Sequence, residues 1–279
     1  MPTATMNETD QKLLNASVVY REDLTPELAV IRVKPDKGDA PDFKPGQYAT
    51  IGLPPAEGDE EQQAKKGLAR FWLRPYSIAS SPLEKGYLEF YIALVEDGAL
   101  TPKLWDLAEG DRLWMGPKCK GTFTMDPVPA GKTLVTISTG TGLAPFMSMY
   151  KTYRDTGRWE KFVIVHGTRF CGDLGYKAEI EALAEKDETL TYLPTCSREP
   201  EPADDSADWL GLRGRVNVAI EEGAFADLTG VPLDAENCHV FLCGNPQMIE
   251  EVEADLQARG FVTRDREHPE GNIHHEKYW

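Results

Sequence analysis

Up to about residue 126 the apolar positions come in short runs, ASVVY, LAVIRV, QYATIGL, RPYSIAS, YLEFYIALV and DRLWMG. Each run is rich in β-branched and aromatic residues and is bounded by turn-forming residues. Short strands at this spacing predict an antiparallel barrel. The segment 54–69, PPAEGDEEQQAKKGLA, breaks the rhythm. Its polar, acidic composition predicts a mobile loop.

After Pro127-Val128-Pro129 the rhythm changes to apolar strands, TLVTIS, FVIVHGT, LTYLPTCS and HVFLCG, alternating with helical stretches. Helices are expected to begin at Pro145, near Gly175, near Val216 and at Pro246. In the last of them Ile249, Val252 and Leu256 keep helical spacing, and Gly260 is a natural residue just past its end. Alternation of strand and helix predicts a parallel sheet with helices on both faces. The chain therefore reads as two domains, 1–128 and 129–279.

Composition narrows the class. With 279 residues, 41% of them hydrophobic and 27% charged, the chain can build two cores. No stretch approaches the length of apolar sequence that a membrane span needs, and the N-terminus lacks the pattern of a secretion signal. A cytoplasmic protein is expected. Five cysteines, scattered and odd in number, argue against a disulfide framework. Cys238 and Cys243 have the C-x4-C spacing of one kind of iron–sulfur centre, but no third cysteine follows, and His268, His274, His275 and Glu276 show no metal-binding spacing. No metal is expected. The net charge of −16 disfavours nucleic-acid binding. Residues 1–126 hold 15 basic and 20 acidic side chains and residues 127–279 hold 15 and 26, so the first half is less repulsive to an acidic partner.

Several segments carry candidate chemistry. Arg74-Pro75-Tyr76-Ser77 lies on a predicted strand, where period-2 alternation sends Arg74 and Tyr76 to one face. A guanidinium there can pair with a pyrophosphate, an aromatic ring can cover a flat heterocycle, and Ser77 can meet a ring nitrogen. The tetrad also fits an ordinary strand with an exposed arginine. Gly140-Thr141-Gly142-Leu143-Ala144-Pro145 follows a strand and opens a helix with proline in its first turn, as a phosphate cradle does. Pro145 replaces the third glycine of G-x-G-x-x-G, and no acidic residue stands where a ribose partner would, which disfavours an ordinary NAD-type fold. A purely structural turn stays open.

Arg169, Ser197-Arg198, and Arg213 with Arg215 fall at strand ends, where open parallel sheets bind ligands. Such a concentration of arginine in an acidic domain suits an anion such as the 2′-phosphate of NADP, with Ser197 as a neutral donor. Solvated ion pairing is the alternative. Cys243 and Gly244 reach the same edge as Thr141 and Arg169. Cys243 could pack on a nicotinamide or be a simple core residue. The chain finishes on Tyr278-Trp279, two aromatics in search of a surface.

Together these segments resemble the ferredoxin/flavodoxin–NADP reductase family, bacterial type, over nearly the whole length. The anchors are Pro45-Gly46-Gln47-Tyr48, Arg74 to Ser77, Leu88 to Tyr91, Asp97 to Thr101, Gly140-Thr141-Gly142, Ser197-Arg198-Glu199, Gly214-Arg215, Cys243 to Met248 and Tyr278-Trp279. The resemblance implies an N-terminal antiparallel Greek-key β-barrel that binds FAD and a C-terminal α/β parallel-sheet domain that binds NADP, its tail returning to the FAD. Arg74 would pair with the FAD pyrophosphate, Tyr76 stack on the isoalloxazine, and Ser77 bond near N5. Pro75 belongs to the same flavin strand. Tyr91, Ile92, Ala93 and Leu94 would pass the ribityl and adenosine part, with Leu100 and Thr101 at the phosphates and Ala99 also in the cofactor-binding set. Arg169, Ser197, Arg198 and Arg215 would hold the NADP ribose phosphate, with Thr168 also in the cofactor-binding set. Thr141 and Cys243 would flank the nicotinamide, and Gly140, Gly142, Gly244, Asn245, Pro246 and Gln247 belong to the implied cofactor-binding set. The catalytic set implied is Tyr76, Ser77, Cys243, Glu276 and Tyr278. Trp279, one residue longer than the plant pattern, would stack on the adenine of a bent FAD.

The activity implied is hydride transfer from NADPH to FAD and delivery of single electrons to a small acidic carrier, ferredoxin or flavodoxin, by a monomer. Two alternatives remain at this point: a flavin reductase component of an oxygenase system, and a non-catalytic redox-sensing nucleotide binder.

Overall fold

The structure is a computed structural model that describes residues 8–56, 58–199 and 211–278. Its contacts divide into two compact units, Met1–Thr122 and Phe123–Trp279.

The first unit contains α1 (Glu8–Gln11), β1 (Ala16–Thr25), β2 (Leu28–Pro35), β3 (Tyr48–Leu53), α2 (Glu60–Gln63), β4 (Trp72–Ser77), β5 (Leu88–Ala93), α3 (Thr101–Trp105) and β6 (Arg112–Met115). The six strands form one antiparallel sheet in the order β4-β3-β6-β1-β2-β5. Just past β4, Ile78 bridges Phe90 of β5 and the Ala79 amide donates to the Glu89 carbonyl at 2.8 Å, so the two ends of the sheet meet as a barrel. Val18, Ile31, Val33, Ile51, Leu88, Phe90, Ile92, Leu113 and Met115 fill its interior. Closure leaves few unpaired strand edges.

The expectation of a mobile loop over 54–69 is corrected. This stretch folds into α2 and a 3-10 turn at Gly67–Arg70. Gln62 is buried between them, and its amide donates to the carbonyls of Ala69 (3.1 Å) and Phe71 (3.3 Å). Arg70 meets the buried Asp10 at 3.3 Å. Polar side chains here replace an apolar core by satisfying backbone groups, which composition alone does not reveal.

The second unit contains β7 (Lys132–Thr139), α4 (Ala144–Tyr153), β8 (Trp159–Thr168), α5 (Lys177–Ala184), β9 (Leu190–Cys196), β10 (Leu212–Arg213), α6 (Ala224–Thr229), β11 (Cys238–Gly244), α7 (Pro246–Ala258) and β12 (Ile273–Lys277). The sheet is parallel throughout, in the order β10-β9-β8-β7-β11-β12. Val135, Val163, Val240 and Leu242 pack with Ile249, Val252 and Leu256 of α7 into one core. Phe162 and Tyr150 of α4 meet edge-on at 5.5 Å between ring centroids, so α4 also packs on the sheet.

Helix α7 ends as its sequence predicts. Gly260 has φ +88°, and the amides of Gly260 and Phe261 donate to the carbonyls of Gln257 and Leu256. That is the paired bonding of a Schellman end. The helix expected near Val216 is instead a 3-10 turn, Val216–Ala219.

The units divide at Thr122/Phe123 rather than at 128/129. Phe123 packs its ring on Phe146 and Phe241, and Arg158 donates to the carbonyls of Met125 (2.6 Å) and Val128 (3.2 Å). Those contacts tie 123–128 to the second unit. No helix among the described residues is long and apolar enough to cross a membrane.

Candidate functional site

In the first unit, β4 runs antiparallel to β3, with Arg74 opposite Ile51, Tyr76 opposite Ala49 and Ser77 opposite Tyr48. Arg74 and Pro75 are exposed and Ser77 is buried. The Arg74 guanidinium rests over the Trp72 ring at 5.9 Å and donates to the Leu73 carbonyl, leaving its other donors open to an anion. Tyr76 packs edge-on against Phe90 at 6.4 Å, and burial pushes its phenol well above the ordinary range. A neutral, anchored ring is what a flat ligand needs beneath it.

Trp72 is fixed in turn. Its indole N–H donates to Asp59 at 3.2 Å, and Asp59 also faces Lys103 of α3 at 3.5 Å. The indole bond is the largest cause holding the Asp59 carboxyl below its usual range. The acidic segment thus braces both Arg74's platform and the helix after the 99–101 turn, a role its composition did not signal.

Of the other residues expected near FAD, Tyr91 is buried and Ala93 and Leu94 are half-buried. Ile92 and Leu100 point into the barrel core, which leaves only their main chain to face a ligand. The Thr101 hydroxyl donates to the Val95 carbonyl at 2.9 Å and accepts the Val95 amide at 3.0 Å. It pins the loop that carries Ala99 rather than pointing a free hydroxyl at a phosphate.

In the second unit, the carboxyl ends of β7, β8, β9, β10, β11 and β12 carry the other predicted residues. Gly140–Leu143 forms a 3-10 turn leading into α4, with Pro145 in its first turn. Gly140 has φ +52° and open space where a Cβ would project. Gly142 has none. A Cβ there would lie 2.4 Å from the Cys243 carbonyl oxygen, so the two loops touch backbone to backbone. The Thr139 hydroxyl accepts the Asn245 amide at 2.9 Å, and the Asn245 side chain caps α7 by accepting the amides of Gln247 (2.8 Å) and Met248 (3.3 Å). Thr141 and Pro246 sit beside these caps.

Sequence reasoning missed His166. It is wholly buried in β8, and its Nε2 lies 3.1 Å from the Gly140 carbonyl oxygen. Burial lowers its pKa to about 4, so the ring is neutral and donates this bond. The only sequence signal was a histidine inside an otherwise apolar strand.

Arg169, Ser197, Arg198 and Arg215 are all exposed at this edge. The Arg198 amide donates to the Arg169 carbonyl at 2.8 Å, the Ser197 amide and hydroxyl both donate to the Thr168 carbonyl, and the Gly214 amide donates to the Cys196 carbonyl. The Thr168 hydroxyl is turned to the Phe170 carbonyl at 2.8 Å. Three arginine-bearing loops are therefore stitched side by side. Arg215 reaches Glu251 only at 3.5 Å and keeps 69% of its side chain exposed, so its charge is available.

Cys243 is fully buried at the end of β11 and sits in register with Glu276 of β12. Burial holds its thiol well above the usual range and Glu276 adds to the rise, while a hydrogen bond from the Tyr278 hydroxyl opposes it. The Tyr278 amide donates to the Gly244 carbonyl at 3.1 Å. The structure thus brings Cys243, Glu276 and Tyr278 together. Trp279 lies outside the described residues. Among the described residues no group of three or more His, Cys, Asp or Glu could hold a metal ion.

A two-unit chain with a closed antiparallel barrel and a parallel sheet edged by glycines and arginines has the architecture of a dinucleotide-dependent oxidoreductase. The family model of the oxidoreductase NAD-binding domain matches residues 136–254. The flavodoxin/ferredoxin–NADP reductase of Escherichia coli is 32% identical over 238 residues, 85% of this chain and 88% of that protein. The ferredoxin–NADP reductase of Pseudomonas aeruginosa is 35% identical over 80% of this chain and 82% of that protein. A crystal structure of a ferredoxin NADP+ reductase from Neisseria gonorrhoeae with bound FAD and NADP shares the fold, with TM-score 0.80, 23% identity, and coverage of 96% of this chain and 99% of that one. The chain belongs to the ferredoxin/flavodoxin–NADP reductase family.

Proposed function

We infer that this protein is a flavoprotein oxidoreductase that takes electrons from NADPH and passes them through FAD to ferredoxin or flavodoxin. FAD supplies the chemistry, accepting a hydride and releasing electrons one at a time. The observation that carries the reading is the presence in one chain of two sites of complementary kind: an arginine and a tyrosine on one face of β4, and three exposed arginines on adjoining loops of the parallel sheet.

The residues present fit both cofactors. Arg74, steadied on Trp72, pairs with the FAD pyrophosphate. Tyr76 offers its ring to the isoalloxazine, and Ser77 is placed one residue beyond it on β4. In the second unit Gly142 lies backbone to backbone against Cys243, with no room for a side chain of its own, and that close approach suits a flat nicotinamide. Arg169, Arg198 and Arg215 read the 2′-phosphate that distinguishes NADPH from NADH. Cys243 stays protonated and packs as a small neutral group, while Glu276 and Tyr278 hold its surroundings.

Replacing Arg198 and Arg215 together with alanine tests this reading. Removing one charge-assisted hydrogen bond weakens binding about tenfold or more. The KM for NADPH should rise by roughly a hundredfold or more while that for NADH hardly moves. Equal losses with both nucleotides would contradict the phosphate assignment.

A further inference from the structure

Glu199 follows Arg198 immediately, in the place where an acidic side chain should repel the phosphate its neighbours attract. Its contacts give it another role. One carboxylate oxygen accepts the backbone N–H of Cys171 at 2.7 Å, two residues beyond Arg169. Burial first, and then the neighbouring Glu199 carboxylate, hold the Cys171 thiol above its usual range. The Glu199 backbone carbonyl accepts a guanidinium N–H of Arg213 at 3.2 Å, two residues before Arg215.

We propose that Glu199 is the positioning residue of the phosphate site: its carboxylate fixes the Arg169 loop and its carbonyl fixes the Arg215 loop, each against the loop that carries Arg198. This rests on the reading that NADPH binds at these arginines.

The geometry supports a brace rather than a charge partner. No hydrogen bond or ion pair links the Glu199 carboxylate to Arg169, Arg198 or Arg215 among the described residues. Instead it spends its acceptors on the start of the short 3-10 turn at Cys171–Asp173. That turn begins right after Phe170, whose carbonyl already holds the Thr168 hydroxyl. The backbone on both sides of Arg169 is thereby fixed. The Arg198 amide to the Arg169 carbonyl closes a ring of contacts between the two loops. Long arginine side chains lose much rotamer entropy on binding, and loops already held in place leave less to lose.

Charge and positioning make opposite forecasts. As a nearby negative charge, Glu199 would weaken phosphate binding, and its removal would strengthen it. As a brace, its removal weakens binding. The experiment is calorimetric titration of the FAD-loaded protein with 2′,5′-ADP and with 5′-AMP, on the native protein, Glu199→Ala and Glu199→Gln, alongside KM and kcat for NADPH and NADH. Glutamine keeps an acceptor for the Cys171 amide and drops the charge. The expected result for Glu199→Ala is about a tenfold rise in the Kd of 2′,5′-ADP, the effect of removing one hydrogen bond to a charged group. The KM for NADPH should rise in parallel, with the NADH values and kcat unchanged. Glu199→Gln should restore binding to within about threefold of the native value. Hydrogen exchange at the Cys171 amide should quicken in the alanine variant and not in the glutamine one.

Tighter or unchanged 2′,5′-ADP binding by Glu199→Ala overturns the proposal. So does an equal loss of NADPH and NADH, which would mark a general loosening of the fold. A native protein that binds 2′,5′-ADP no better than 5′-AMP would remove the NADPH reading itself, and the proposal with it.

Discussion

Cys243 and Glu276 stand opposite each other in register across β11 and β12, with the thiol fully buried and the Tyr278 hydroxyl bonded to its sulfur. A thiol held this way is a packing surface, not a nucleophile. Iodoacetamide at mildly alkaline pH should therefore spare Cys243 in the folded protein while modifying the partly exposed Cys171, read by mass spectrometry. Cys243→Ala should lower kcat with NADPH about tenfold and leave its KM nearly unchanged, because a positioning surface acts on the reacting geometry more than on affinity.

The loops after β7 and β11 meet through glycines, and the two kinds of glycine should behave differently. At Gly142 an added Cβ strikes the Cys243 carbonyl oxygen at 2.4 Å, and at Gly244, with φ +127°, it strikes the Thr139 hydroxyl at 2.4 Å. Alanine at either should cost roughly 2–3 kcal/mol, measured from urea midpoints, because backbone must move. Gly140→Ala meets open space and bears only the left-handed φ of +52°, about 1 kcal/mol.

Three buried histidines set the acid side of stability. His166 is lowered from 6.5 to about 4 by burial. His239 and His274, whose ring nitrogens lie 3.1 Å apart, are also lowered, first by burial and then by the charges around them, including Lys132 and Arg264. Below about pH 6.5 the unfolded chain takes up protons that the folded chain refuses until about pH 4. Stability is therefore full above pH 6.5 and falls as pH drops through that window, by ~3 kcal/mol for His166 alone. Urea midpoints from pH 7 to pH 4.5 should show the decline, and His166→Asn should flatten it whatever its effect at pH 7.

Much of this was legible in the chain. The period-2 runs of the first half became β1 to β6, and the Pro145 and Pro246 helix starts and the Gly260 helix end lie where rigid local geometry requires them. Local rules succeed because proline and glycine act on their own residue's backbone. What escaped depended on partners far away in sequence. Gln62 is buried only because the carbonyls of Ala69 and Phe71 receive it, and Asp59 matters only through Trp72 and Lys103. Segment 54–69 thus reads as solvated until its partners are known. His166 was missed for the same reason, its partner Gly140 lying on the neighbouring strand's loop. The edge strand β12 was also unforeseen, since His274-His275-Glu276-Lys277 carries no strand-like alternation of its own.

The most direct test is the visible absorption spectrum of the purified protein, followed by addition of NADPH under nitrogen. The expected result is a yellow protein with a bound flavin spectrum that NADPH bleaches within the turnover time and that oxidised ferredoxin or flavodoxin restores. A colourless protein that cannot be reconstituted with FAD, or a bound flavin that NADPH leaves oxidised, would contradict the function assigned to Arg74, Tyr76 and the arginine loops.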